Sequence, residues 1–362
     1  SGLIGLVSGY TSAEKFRSVT RQYFIIGSIF LSIGLLLPAS YNNTITISGW
    51  VASIAQAPSY IKVISALCII MAALIQSAIF PFHKWLLSAM TAPTPASALM
   101  HAGFVNGSGI LLTLFAPLLI ASNTLEILLV VGGLTAILAQ FTKLIQVNVK
   151  QRLACSTIAQ MGFMIMQCGL GFFNAAIAHL ILHGFYKAYL FLSSGEEIEQ
   201  SRPSEPPVIR IKWLQALVVL FFSILGAYLF VLFTGKGMHL DSGIFLTLIV
   251  SITVGQATYN IVKHNPLSGI QRMILPPVLF ISGIGVYSLI YNGVTALMAD
   301  MPLVASPTEL STTQIVFGIV FLVGFFMMKL GIYRKIPWIY VKLLNLSQPK
   351  NRTILMYKSK FQ

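Results

Sequence analysis

Three ionisable side chains, His179, His183 and Lys187, recur at every fourth position through the otherwise apolar stretch 172–193. In a helix each such step rises about 6 Å and keeps to one stripe, so the three form a single row. A charge at the centre of a bilayer costs at least ~2.5–3.5 kcal/mol on insertion scales, so ionisable groups there face a wet or protein-lined interior and mark ion or proton paths. Imidazole titrates near neutrality and a buried amine can be brought toward that range, so such a row could pass protons through intervening water. The structural alternative has the two histidines bonded to carbonyls of neighbouring helices while Lys187 snorkels to the interface.

A second group surrounds this row. The segment 80–101 holds Pro81, Pro93 and Pro95 and ends on His101. Proline removes a backbone donor, and in lipid the freed carbonyls must find other partners. These positions predict a helix end, a short cytoplasmic amphipathic turn and a re-entering helix that carries His101. Two roles stay open for His101, proton relay or a satisfied core histidine. Lys150 and Arg152 sit where a later helix leaves the basic side, either as charged anchors or as part of a pathway.

The elements that must position these residues are membrane helices. Of 362 residues 56% are hydrophobic and only 9% charged, against roughly 25% charged in soluble domains. Apolar runs long enough for ~30 Å of hydrocarbon fall at 22–40, 60–82, 97–120, 125–143, 153–171, 172–194, 213–234, 242–262, 274–298 and 313–332. The fold class is therefore an all-α polytopic membrane protein of about ten transmembrane helices. Residues 1–10 read as the end of an earlier helix, so amino-terminal spans are expected to be missing from this sequence.

Charge orients the bundle. The net charge of +14 is spread over short loops and not gathered in a basic domain, which argues against nucleic acid. With ten spans, 20 of the 23 Lys and Arg fall on one side and only Lys62 and Lys236 on the other. The positive-inside rule makes the populated side cytoplasmic, with the carboxyl terminus on it. The expected organisation is a helical core over 1–195, a cytoplasmic linker over 196–212, further spans over 213–332 and a basic tail over 333–362. The tail suits an interfacial anchor on anionic lipid or a docking element for a partner. Cys68, Cys155 and Cys168 lack metal or redox spacing and read as small core residues. No phosphate loop, zincin spacing or nucleophile elbow is present, so an enzyme is the weakest reading.

Three blocks together resemble one superfamily, the antiporter-like membrane subunits of respiratory complex I, of Mrp-type cation/proton antiporters and of membrane hydrogenases. They are Phe80-Pro-Phe-His-Lys-Trp with Ala92-Pro-Thr-Pro-Ala-Ser-Ala-Leu-Met-His101; Val149-Lys-Gln-Arg-Leu-Ala-Cys-Ser-Thr157; and His179-Leu-Ile-Leu-His183-Gly-Phe-Tyr-Lys187. The resemblance implies an antiporter-like bundle with broken helices at mid-membrane. It casts Lys150 and Lys187 as proton-relay lysines and His101, His179 and His183 as supporting titratable groups. There are departures. Gln76 stands where the family carries a mid-membrane lysine, its partner glutamate is not visible, and the later lysine-bearing broken helix is absent.

The tail at 343–349 is similar to that of the membrane subunit of Dab-type inorganic-carbon transporters. That likeness implies an H⁺- or Na⁺-conducting subunit in the cell inner membrane, working in a two-subunit complex. The expected partner is a large cytoplasmic, carbonic-anhydrase-like subunit that holds zinc, with no cofactor in the present chain. The alternatives are a subunit of complex I, an Mrp antiporter or a hydrogenase, and a passive membrane anchor without ion flux.

Overall fold

The computed structural model describes residues 11–42, 46–89, 92–193, 213–234, 241–245, 247, 269–303, 309–329, 331, 333 and 336–349. Residues 1–10, expected to close an earlier helix, and the linker 196–212 lie outside them. The protein is all-α and polytopic. Among the described residues six helices are long and apolar enough to cross a membrane, against the ten spans expected. The six are Ser18–Tyr41, Ser59–Gln76, Thr94–Leu114, Leu125–Leu144, Phe173–Leu192 and Ile274–Leu297. Of the other four, 213–234 and 313–332 form helices Trp213–Thr234 and Thr312–Lys329, and 242–262 lies largely outside the described residues.

The remaining one, 153–171, is a helix over Val149–Gly169 that is not apolar enough to count by composition. The reason is its surroundings. Fourteen of its 21 residues are buried, so protein and not lipid solvates it, and polar residues such as Thr157 and Gln167 are tolerated where a lipid-facing helix would exclude them.

In chain order the helices are α1 Thr11–Asn42, α2 Ile47–Ser53, α3 Ser59–Gln76, α4 Lys84–Ser88, α5 Thr94–Ala102, α6 Gly107–Leu114, α7 Ala116–Ala121, α8 Leu125–Leu144, α9 Val149–Gly169, α10 Phe173–Leu192, α11 Trp213–Thr234, α12 Gly269–Leu297, α13 Thr312–Lys329 and α14 Pro337–Leu346. Helices α8, α9 and α10 run up, down and up. Their basic ends carry Lys143, Lys150 and Arg152, and Glu126 opens α8 at the far end. The tight α9–α10 turn sits where the two runs abut, with Gly171 at φ 83°.

Helices α8 and α9 pack backbone to backbone. A Cβ added to Gly162 would stand 2.7 Å from Ala136 N and Gly132 O, and one on Gly132 would stand 2.6 Å from Met166 N. Small residues permit this approach, and dispersion over the shared face holds the pair where lipid supplies no hydrophobic drive.

The proline-rich segment departs from expectation in one respect. Helix α3 stops at Gln76, before the predicted end at 82, because Ala78 takes a left-handed φ of 54° that a continuing helix forbids. The short element that follows is not a solvated amphipathic turn. In α4, Trp85, Leu86, Leu87 and Ser88 are all buried, and the Trp85 indole donates to Ile75 O at 2.8 Å. The same carbonyl accepts from Ala78 N–H at 3.2 Å, so the indole is a further donor where α3 ends.

The tail folds back onto the basic end. Leu343 and Tyr333 pack with Phe141 and Ile145 at the end of α8. Gln151 Nε2 donates to Ser347 O at 2.8 Å, and His83 Nε2 lies 2.8 Å from Leu346 O. The opposite face of α14 exposes Trp338 and Val341, with Lys342 Nζ 4.3 Å from the Trp338 ring centroid. One face of this helix therefore docks on the bundle, and the other is free for lipid or a partner.

Two outcomes follow. Replacing Gly162 by Leu forces α8 and α9 apart, and overpacking of this kind costs about 1–3 kcal/mol; thermal unfolding of the purified protein in detergent should show a lower midpoint. Burial pushes the His83 imidazole down to about 4, partly opposed by its bond to Leu346. The folded state thus resists a proton that the unfolded chain accepts near 6.5, so this contribution is complete above pH 6.5 and lost as pH falls toward 4. Hydrogen exchange of residues 337–347 should accelerate over that window, and His83→Gln should flatten the dependence.

Candidate functional site

The row on α10 points inward. Lys187 is fully buried, and its Nζ donates to Leu153 O at 3.1 Å. That carbonyl, in the first turns of α9, also accepts from the Thr157 hydroxyl at 3.1 Å. The lysine does not snorkel. One turn back, His183 is 5% exposed, and its ring lies nearly parallel to that of His179 at a centroid distance of 6.1 Å. His179 in turn meets the edge of Phe163 on α9 at 5.2 Å.

His101 comes to this row from α5. It is fully buried and its ring stacks on Phe191 at 4.5 Å. Neither ring nitrogen of His101 or of His183 has a protein hydrogen-bond partner, and His179 Nε2 has none. The alternative of histidines held by neighbouring carbonyls is therefore not what the geometry provides. Buried polar atoms are nearly always satisfied, and a polar pocket without protein partners is where ordered water sits.

His183 lies within electrostatic reach of His179, His101 and Lys187. Lys187 is in reach of Lys143, and Lys143 of the exposed Arg152. The line thus runs from mid-bundle to the basic surface. Lys143 is the member that sequence reading passed over as a loop charge. Its place in the last turn of α8, six residues before α9 begins, is the available signal.

Lys150 is placed differently. It is half-buried, and its Nζ reaches Ala92 O at 3.4 Å, tying the start of α9 to the proline-rich loop. Gln76 also serves a backbone group. Helix α5 breaks after Ala102 into a short 3-10 turn, Phe104–Asn106, before α6 resumes. Gln76 Nε2 donates to Phe104 O at 3.3 Å, and the Ser77 hydroxyl donates to Val105 O at 2.8 Å and contacts the Ser108 hydroxyl. The Gln76 amide lies against Gly107, where a Cβ would collide with it. The side chains at the end of α3 thus add donors to carbonyls at the break, where Phe104 O also accepts from Gly107 N–H, as irregular backbone at membrane depth requires. Among the described residues no grouping of three or more His, Cys, Asp or Glu could hold a metal ion.

With the geometry of the row and the broken helix established, the chain can be compared with known proteins. Residues 3–261 match the family described as NADH:quinone oxidoreductase/Mrp antiporter, transmembrane. The chain belongs to this family. It is 34% identical over 257 residues to the probable inorganic carbon transporter subunit DabB of Bacillus subtilis, covering 70% of this chain and 51% of that protein. A DabB of Hydrogenovibrio crunogenus is 48% identical over 138 residues, 38% of this chain and 27% of that one. NADH-quinone oxidoreductase subunit L of Pseudomonas aeruginosa is 34% identical over 204 residues, 53% of this chain and 33% of that one. The chain spans about half the length, or less, of these curated relatives.

Removing the Gln76 amide should weaken the junction without touching the titratable row. Gln76→Leu removes one of two donors to Phe104 O, the other being Gly107 N–H, and is expected to cost about 0.5 kcal/mol. The check is the unfolding midpoint in detergent, which should fall, with Gln76→Glu as a variant of similar size for comparison.

Proposed function

We propose that this chain is the cation-conducting membrane subunit of an inorganic-carbon uptake complex. In this reading H⁺ (or Na⁺) moves through the bundle toward the cytoplasmic side and energises the capture of CO₂ or bicarbonate by a partner. The partner is a large cytoplasmic, carbonic-anhydrase-like subunit that holds the zinc, and the chain itself is not an enzyme. The observation that carries the reading is the line His179–His183–His101–Lys187–Lys143, in which both ring nitrogens of His101 and His183 and Nε2 of His179 are buried without a protein hydrogen-bond partner. The two DabB relatives support the choice of inorganic carbon as the driven process.

The residues suggest the following mechanism. Protonated Lys187 donates to Leu153 O; when neutral, its lone pair can accept a proton from water or from the His101–His183 pair. Like charges a few ångströms apart repel strongly where water is scarce, so a proton arriving on a histidine favours release from Lys187 toward Lys143 and the surface. Gln76 has no charge to change and acts here by closing the helix break. Lys150 fastens the α9 start to the loop that feeds His101. The basic end is read as cytoplasmic from the charge bias, and the membrane as the cell inner membrane.

A second reading, a proton-pumping or antiporter subunit of a complex I, Mrp or membrane-hydrogenase complex, is favoured by the likeness to subunit L. It uses the same line of residues with a different partner, and isolation of the native complex with identification of its soluble subunit separates the two.

Cells that depend on this complex for carbon uptake provide the direct test. Lys187→Ala should reduce ion-driven bicarbonate uptake at least about a hundredfold, the scale seen when a positioned proton-transfer group is removed, while membrane abundance stays unchanged. Unchanged uptake would leave the chain as a passive anchor and refute the relay.

A further inference from the structure

Helix α14 keeps a face that nothing in the pathway described above uses. Ile339 and Leu343 follow each other at a four-residue interval and turn toward the bundle, where Leu343 is buried. Trp338, Val341, Lys342 and Asn345 lie on the other side of the helix and are exposed, the indole at 67%. A face turned to water would carry several charges; this one leads with an indole and a valine.

Where the helix lies decides what meets that face. Its ten residues rise about 15 Å, half of what crossing the hydrocarbon takes. Contacts at both ends hold it to the basic end of the bundle. Ahead of it, Tyr333 packs edge-on against Phe141 with ring centroids 5.3 Å apart. Behind it, Leu346 O and Ser347 O meet His83 and Gln151, each at 2.8 Å. Phe141 belongs to the last turn of the spanning helix Leu125–Leu144, and Ile145 follows it directly. Helix α14 therefore runs along the surface where the bundle leaves the hydrocarbon. That is the depth of the lipid headgroups, where tryptophan is favoured.

Charge on this surface is of one sign. Residues 311–362 hold eight Lys and Arg and no Asp or Glu. The segments 80–89 and 139–155, which supply contacts to α14, add Lys84, Lys143, Lys150 and Arg152 and again no carboxylate. Lys342 Nζ stands 4.3 Å from the centroid of the Trp338 ring, which keeps the cation on the outer face. The complementary anion has to come from outside these segments.

We propose that the outer face of α14 binds anionic phospholipid on the basic side of the membrane, with Trp338 and Val341 set between headgroups and Lys342 drawing the phosphates. An acidic protein would offer the same complementarity, but at this depth lipid surrounds the bundle and reaches the face first. The contact does not rest on ion conduction.

The test uses the full chain in its native complex, reconstituted in nanodiscs. Cys68→Ala removes the half-buried native thiol, the other two cysteines being buried, and Val341→Cys then carries an environment-sensitive fluorophore. In a zwitterionic bilayer, phosphatidylglycerol brominated near the headgroup should quench this label as strongly as an about fivefold higher fraction of equally brominated phosphatidylcholine, the enrichment that one basic residue near the surface gives. Lys342→Gln in the labelled chain should remove most of that preference. Should the label at 341 prevent assembly, Asn345→Cys reads the same face one turn on. Equal quenching by the two lipids, quenching by aqueous iodide alone, or protection from all three by a partner protein overturns the proposal. Lys187→Ala should leave the lipid preference as it is, so failure of the relay and failure of this contact register separately.

Discussion

A buried amine held by a single backbone carbonyl is the constraint on which the rest of this bundle depends. Lys187 has Leu153 O within hydrogen-bond reach and lies in a protein interior, where an unpaired charge costs several kcal/mol. Three features make it tolerable. Helix α9 starts close enough to α10 to offer a carbonyl, Thr157 shares that carbonyl, and the imidazoles of His101 and His183 leave their nitrogens open to water. Each needs a polar, protein-enclosed α9, which explains why this helix is at once the least apolar and among the most enclosed.

The break after Ala102 answers a related demand. The chain there makes a short 3-10 turn over Phe104–Asn106, in which Phe104 O accepts from Gly107 N–H. Gln76 and Ser77 add side-chain donors to Phe104 O and Val105 O, so the polar end of α3 braces the break. A glutamine suits this task, since its amide donates without carrying a charge into the bundle.

Much of this was legible in the residues. The four-residue spacing of His179, His183 and Lys187 fixed which face of α10 turns inward, and the prolines placed an interruption near His101. The apolar run at 153–171 was legible as a helix although the three glutamines of Val149–Gly169 lower its hydropathy, which is tolerated because protein surrounds it. The burial of Trp85 on α4 was hidden. Its partner, Ile75 O, exists only because α3 ends early at a left-handed Ala78. Lys143 escaped notice because its approach to Lys187 depends on how closely α8 and α9 pack, which the glycines at 132 and 162 allow and no local pattern announces.

The central claim is that the titratable row is hydrated, and a density map of the intact complex at a resolution that reveals ordered water tests it most directly. The account predicts water within hydrogen-bond distance of the ring nitrogens of His101 and His183 and a chain of it leading to Lys187. Nitrogens bonded only to protein, or sealed in dry apolar packing with no water between His183 and Lys187, would contradict it.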